Sequence, residues 1–115
     1  MVIDMKKIKF KRQNIATGET EYVTLNQQIQ QISVSSTPIT FSSNSAGELV
    51  EIIQNPVSNM SLTISSITVD GTEMLSSSII LNGNVNPLGI EWDKSLSMTI
   101  SSSVNNTITI IYWEA

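Results

Sequence analysis

Between Leu49 and Gly71 the chain reads LVEIIQNPVSNMSLTISSITVDG, and this stretch leaves few folds open. Two short runs are separated by a polar connection. The first, Leu49–Gln54, is apolar but for Glu51 and the closing glutamine, and it stops at Asn55-Pro56. Proline donates nothing to a β-ladder and restricts the residue before it. The second run, Ser61–Val69, alternates: Leu62 and Ile64 share a face, Ser65 breaks the phase, and Ile67 and Val69 resume it. Asp70-Gly71 ends it, a pair that tolerates positive φ in a tight turn. Alternation in runs this short, bounded by turn residues, specifies strands.

The rest of the chain repeats that grammar. Lys6–Gln13 alternates, with Ile8 and Phe10 on one face and Lys7, Lys9 and Lys11 on the other. Thr17-Gly18-Glu19 is a turn, and Glu21–Leu25 is a second strand, so the two make a hairpin. In Thr24–Ile32 the residues Leu25, Ile29 and Ile32 fall at helical spacing and Thr24 with Gln27 resembles a capping box. This segment reads as a glutamine-rich linker or a single helical turn. Further strands are expected at Ile32–Phe41, interrupted by Pro38, and at Thr72–Leu75, Ser78–Leu81, Ile90–Asp93, Leu96–Ile100 and Thr107–Glu114. Ser42–Glu48 is a loop by composition, and Asn82-Gly83 is a turn whose polar sequel runs through Pro87.

Short strands at this spacing predict an all-β fold, an antiparallel two-sheet β-sandwich of immunoglobulin-like or jelly-roll type. Residues 1–31 form an N-terminal arm or hairpin and residues 32–115 the sandwich. At 115 residues the chain has room for one modest two-layer core. In the last strand Ile108, Ile110 and Tyr112 occupy one face and Thr107, Thr109, Ile111 and Trp113 the other. Both faces become apolar near its end, so the strand is central in its sheet or buried in an interface.

Reaction chemistry has few carriers here. The chain contains neither cysteine nor histidine, which removes the thiolate nucleophile, the commonest general base and the commonest metal ligands. Glu91 with Asp93, and Asp70 with Glu73, are the carboxylate pairs that could serve a glycosidase or hold calcium, and both read more simply as solvated faces or turns. No catalytic, cofactor-binding or metal-binding residue is therefore assigned. Trp92, between Glu91 and Asp93, is expected in the core. Trp113 is placed for an interface or a sheet core, with sugar stacking as the alternative use of an exposed aromatic.

The net charge of −4 hides an asymmetry: Lys6, Lys7, Lys9, Lys11 and Arg12 are five of the six basic residues. A basic strand on an acidic body reads as a solvated edge or as an anchor for an acidic partner surface. The expected interface and anchor residues are Lys7, Lys9, Lys11, Arg12, Ile111 and Trp113. An acidic body with few aromatics argues against nucleic acid. The N-terminus carries no apolar stretch of a secretory signal, and no run is long enough to cross a bilayer as a helix. Synthesis in the cytoplasm and no membrane partner are expected.

The segments IIQN, LTISSITVDG, LSMTIS and TITIIYW together resemble the strand pattern of immunoglobulin-like β-sandwich modules. The same pattern is similar to that of small virion proteins of tailed bacteriophages, in capsid decoration, head-fibre and tail-fibre domains. That resemblance implies a non-enzymatic structural protein located in the virion. It would bind itself, as a trimer, and an acidic surface such as a capsid or tail protein. The other class of function is a carbohydrate-binding or adhesin-like module.

Overall fold

The structure, a computed structural model, describes residues 6–13, 15–54 and 61–115, and only the backbone of 6 and 10–13. Ten strands make up the described fold: β1 (Lys6–Gln13), β2 (Thr20–Val34), β3 (Ile39–Ser43), β4 (Gly47–Gln54), β5 (Leu62–Val69), β6 (Thr72–Glu73), β7 (Ile79–Leu81), β8 (Val85–Trp92), β9 (Leu96–Ser102) and β10 (Asn106–Glu114). They form two antiparallel sheets. The first has the order β1-β2-β10-β4-β8, and the second β3-β9-β5-β6, with β7 also pairing β5. The all-β expectation holds, and the architecture is that of a β-sandwich.

The two inner faces supply the core in equal measure. Val34, Leu49, Ile52, Trp92, Ile108, Ile110 and Tyr112 come from the first sheet. Phe41, Leu62, Ile64, Ile67, Leu96, Met98 and Ile100 come from the second. Each fully buried Leu or Ile contributes about 1.5–3 kcal/mol relative to leaving it in water. Phe41 and Tyr112 meet edge to face across the layers, with ring centroids 5.0 Å apart. Burial pushes the Tyr112 phenol above its ordinary pKa, and the nearby Glu114 carboxylate adds to this.

Ser65 does what its break in phase predicts. The β5–β9 register shifts between Ile64 and Ser66, a bulge that returns Ile67 to the core side. Asp70 and Gly71 both adopt positive φ, 50° and 86°, as a tight turn requires. Asn55-Pro56 lies outside the described residues.

Three expectations are corrected. The segment 24–32 is neither linker nor helical turn: it is the middle of β2, whose 15 residues run through to Val34. Pairing decides this, because β1 takes Thr20–Asn26 and β10 takes Asn26–Val34, so neighbouring strands satisfy this backbone. In the extended chain Leu25 is buried, Ile32 is half-buried and Ile29 is exposed, so the three do not share one environment. β2 is continuous across residues 31 and 32, where arm and sandwich were expected to meet. The second correction concerns β8, which starts at Val85 and runs through Pro87. Proline is tolerated because β8 is the edge of its sheet, next to a register shift between Leu49 and Glu51. The third is Gly47, expected in a loop and found at the start of β4 opposite Trp92.

Candidate interaction surface

Directly opposed residues of paired strands share a face, so the registers fix the outer surface of the first sheet. Three rows cross it. Ile29, Ile111, Glu51 and Pro87 make one, and Gln31, Thr109, Ile53 and Val85 the next. Gln27, Trp113, Glu48 and Glu91 make the third. Ile29 and Val85 are exposed, at 66% and 54%, while Ile111, Ile53 and Trp113 are half-buried. β10 is thus central in its sheet, and its Ile111 and Trp113 sit amid an apolar surface that faces outward. Sequence reasoning found those two and missed Ile29, Ile53 and Val85. The alternation of Gln27, Ile29 and Gln31 was the available signal, hidden by its coincidence with helical spacing.

Glu48 lies directly opposite Glu91, and like charges so placed repel. The ammonium of Lys7 meets the Glu48 carboxylate and relieves this. The Lys9 ammonium donates to the Trp92 carbonyl at 2.7 Å and pairs with Asp93 at 3.2 Å. Its side chain is only 10% exposed. Both lysines of the basic strand with described side chains therefore engage the chain's own carboxylates. An acidic partner would have to compete with Glu48 and Asp93 for them. The side chains of Lys11 and Arg12 lie outside the described residues.

The hairpin is consequently turned in an unexpected sense. Lys7 lies opposite Leu25, and Lys9 opposite Val23. Leu25 is fully buried and Val23 half-buried, so this face lies against the body. The opposite face, with Ile8 and Tyr22, is 70% and 63% exposed, and Ile15 near the tip is 98% exposed.

Three of the four carboxylates in the candidate pairs have structural tasks. The Asp70 carboxylate accepts the backbone N–H groups of Asp93, Lys94 and Ser95, with its shortest bond, 2.7 Å, from Lys94. It thereby ties the turn after β5 to the connection that carries the chain from one sheet to the other. Burial alone would raise its pKa, but those three donors and the Lys9 charge outweigh it and hold the carboxyl below its ordinary value. Glu73 accepts the Ser66 hydroxyl and the N–H groups of Ile67 and Leu75. These bonds, the Ser66 hydroxyl first, lower its pKa as well. Of the other pair, Asp93 is bound to Lys9. Among the described residues no group of three or more acidic side chains could hold a metal ion.

Clefts open on the surface of the described residues, two of them large enough for a small ligand. A polar one of about 450 Å³ is lined by Ser33–Ser35 and Asn105–Thr107, and an apolar one of about 310 Å³ involves Ile67, Val69, Met74 and Ile90. Neither lining includes an aromatic ring that could stack on a sugar, and Trp92, 1% exposed, is in the core as expected. A comparison with known protein families, curated proteins and solved structures found no match to this chain.

Proposed function

We propose that the chain is a non-enzymatic structural protein of a virion, a capsid decoration, head-fibre or tail component, that acts by anchoring and self-association. The observation that carries the self-association is the outer face of the first sheet, where Ile29, Ile111, Ile53, Val85 and Trp113 form an apolar surface. A sheet face of this kind on an extended, rigid platform favours a protein partner over a small ligand. The virion setting rests on the resemblance of the strand pattern. Anchoring on an acidic capsid or tail surface falls to the basic residues of β1 beyond Lys7 and Lys9, Lys11 and Arg12 among them. The copies close into a trimer, because a closed ring hides one such face on every subunit.

Light scattering on a sizing column tests this reading. A mass three times the single-chain 12.6 kDa supports it. A single-chain mass at the highest soluble concentration removes the self-association on which the proposal depends.

A further inference from the structure

Asn82-Gly83 is the one Asn-Gly pair in the chain, and it lies in the connection from β7 in the second sheet to β8 in the first. Two buried amide side chains help to anchor that connection on both sides of the pair. The Gln54 side-chain amide donates to the Leu81 carbonyl at 2.9 Å, and the Gln54 N–H to the Asn84 carbonyl at 2.8 Å. The Asn86 amide donates to the Gly83 carbonyl at 2.9 Å and to the Ile52 carbonyl of β4 at 3.2 Å. Gln54 is 4% exposed and Asn86 8%. Asn82 and Gly83 themselves are exposed, and neither the Asn82 side chain nor the Gly83 N–H has a hydrogen-bond partner among the described residues. Asp70-Gly71, the other pair with an acyl side chain before glycine, contrasts with it. There the carboxylate accepts three N–H groups and is held in its ionised form, a poor electrophile.

We infer that Asn82 is a site of intramolecular deamidation in the folded protein, and that its isoaspartate product frees the β7–β8 connection from its anchors. The exposed Gly83 nitrogen attacks the Asn82 side-chain carbonyl carbon. A C–N bond forms, the bond to the side-chain NH2 breaks, and ammonia leaves with the proton of the Gly83 N–H. Glycine has no Cβ to hinder this approach, and asparagine is thermolabile for such reasons. Water then opens the five-membered succinimide at either carbonyl, to aspartate or to isoaspartate. No oxidant, reductant or cofactor takes part. Isoaspartate routes the main chain through the side-chain carbons and so adds one methylene between the Leu81 and Gly83 carbonyls. Gln54 and Asn86 fix the positions of those carbonyls, so the longer link pulls at least one away from its donor. A buried amide that loses its acceptor destabilises the fold. The strand that loosens is β8, the edge of the first sheet, whose Val85 belongs to the apolar outer face. The modification therefore alters that surface from its edge, and it adds a negative charge to an already acidic chain.

The test incubates the folded protein in mildly alkaline buffer beside a sample unfolded in guanidinium chloride, with peptides then sequenced by mass spectrometry. In the folded sample Asn82 should lose its amide ahead of the other described asparagines, the exposed Asn44 before Ser45 included. The aged, isoaspartate-rich protein should melt about 4 °C lower, the shift that one such lost bond brings to a domain of this size. Fresh Asn82→Asp carries the charge without the extra methylene and should keep the wild-type Tm. Asn82→Gln, whose ring would be six-membered and slow to close, should keep that Tm throughout the incubation. An Asn82 that retains its amide in the folded sample while the unfolded chain loses it overturns the inference. So does an aged protein that is rich in isoaspartate yet melts with the fresh one, a fresh Asn82→Asp that melts as low as the aged protein, or an equal fall in Asn82→Gln.

Discussion

Asp70 is the most informative residue to perturb, because its carboxylate holds the crossing between the sheets and its backbone is left-handed at φ 50°. Three N–H donors converge on Oδ1, from Lys94 at 2.7 Å, Ser95 at 3.0 Å and Asp93 at 3.1 Å. Asp70→Asn keeps an oxygen there and tolerates the left-handed backbone, so it removes the charge alone. Hydrogen bonds to a charged group contribute about 1.5–3 kcal/mol, and solvent screening at this exposed turn reduces the difference to about 1 kcal/mol. Asp70→Ala removes the acceptor as well and adds about 1 kcal/mol for a side chain that disfavours this conformation. The expected losses are about 1 kcal/mol for Asn and about 2–3 kcal/mol for Ala, or about 4 and 10 °C in Tm for a domain of this size. The pH dependence follows from the lowered pKa. A carboxyl whose folded value lies below its unfolded value of about 3.9 stabilises fully above that pH and loses its contribution as pH falls through the folded value. Thermal unfolding followed by circular dichroism should therefore show the wild-type advantage over Asp70→Asn at neutral pH and its decline on acidification below the ordinary carboxylate range. Equal Tm values at neutral pH, or a gap that persists in acid, would refute the assignment.

Gly47→Ala should cost at least about 2 kcal/mol, seen as a lower urea midpoint, because a Cβ there would overlap the Trp113 carbonyl and the buried Trp92 ring. Lys9→Met should detach the hairpin before the sandwich unfolds, read as faster cleavage in the connection between β1 and β2 at unchanged mass, since it removes the bond to the Trp92 carbonyl and the pair with Asp93. Trp92 should resist acrylamide quenching while Trp113 responds, so a Trp113→Phe variant is expected to leave only shielded fluorescence. Ile100→Ala, in the fully buried centre of the second sheet, should destabilise by about 2–5 kcal/mol in chemical denaturation.

Strand positions were legible wherever a face is half-buried and turn residues bound the run. β1, β5, β9 and β10 follow the alternation of their side chains, and the bulge at Ser65 was visible as a single break in it. The centre of β2 was not legible, because Gln27–Gln31 pair through their main chain while their side chains record little of it. Pro87 concealed β8 for a related reason: an edge strand can accept a residue that a central one cannot, and position in a sheet is a property of the whole chain. The candidate surface was half legible. Ile111 and Trp113 follow from the β10 pattern, whereas the partners that complete their rows come from three other strands. The orientation of the hairpin was beyond local sequence, since Lys7 and Lys9 turn toward Glu48 and Trp92–Asp93, about 40 and 80 residues away.

The place of β10 between β2 and β4 also sets how the chain must fold. Those two neighbours do not pair with each other, and each meets β10 only across a long span of sequence. The first sheet has no continuous ladder until the last described strand inserts, so its ordering is one late, non-local event, slow on the millisecond-to-second scale of such topologies. Until then β2 and β4 both present open edges, and a strand from another molecule can occupy the vacancy. Crowded synthesis would favour that capture, and dilution during refolding should suppress it.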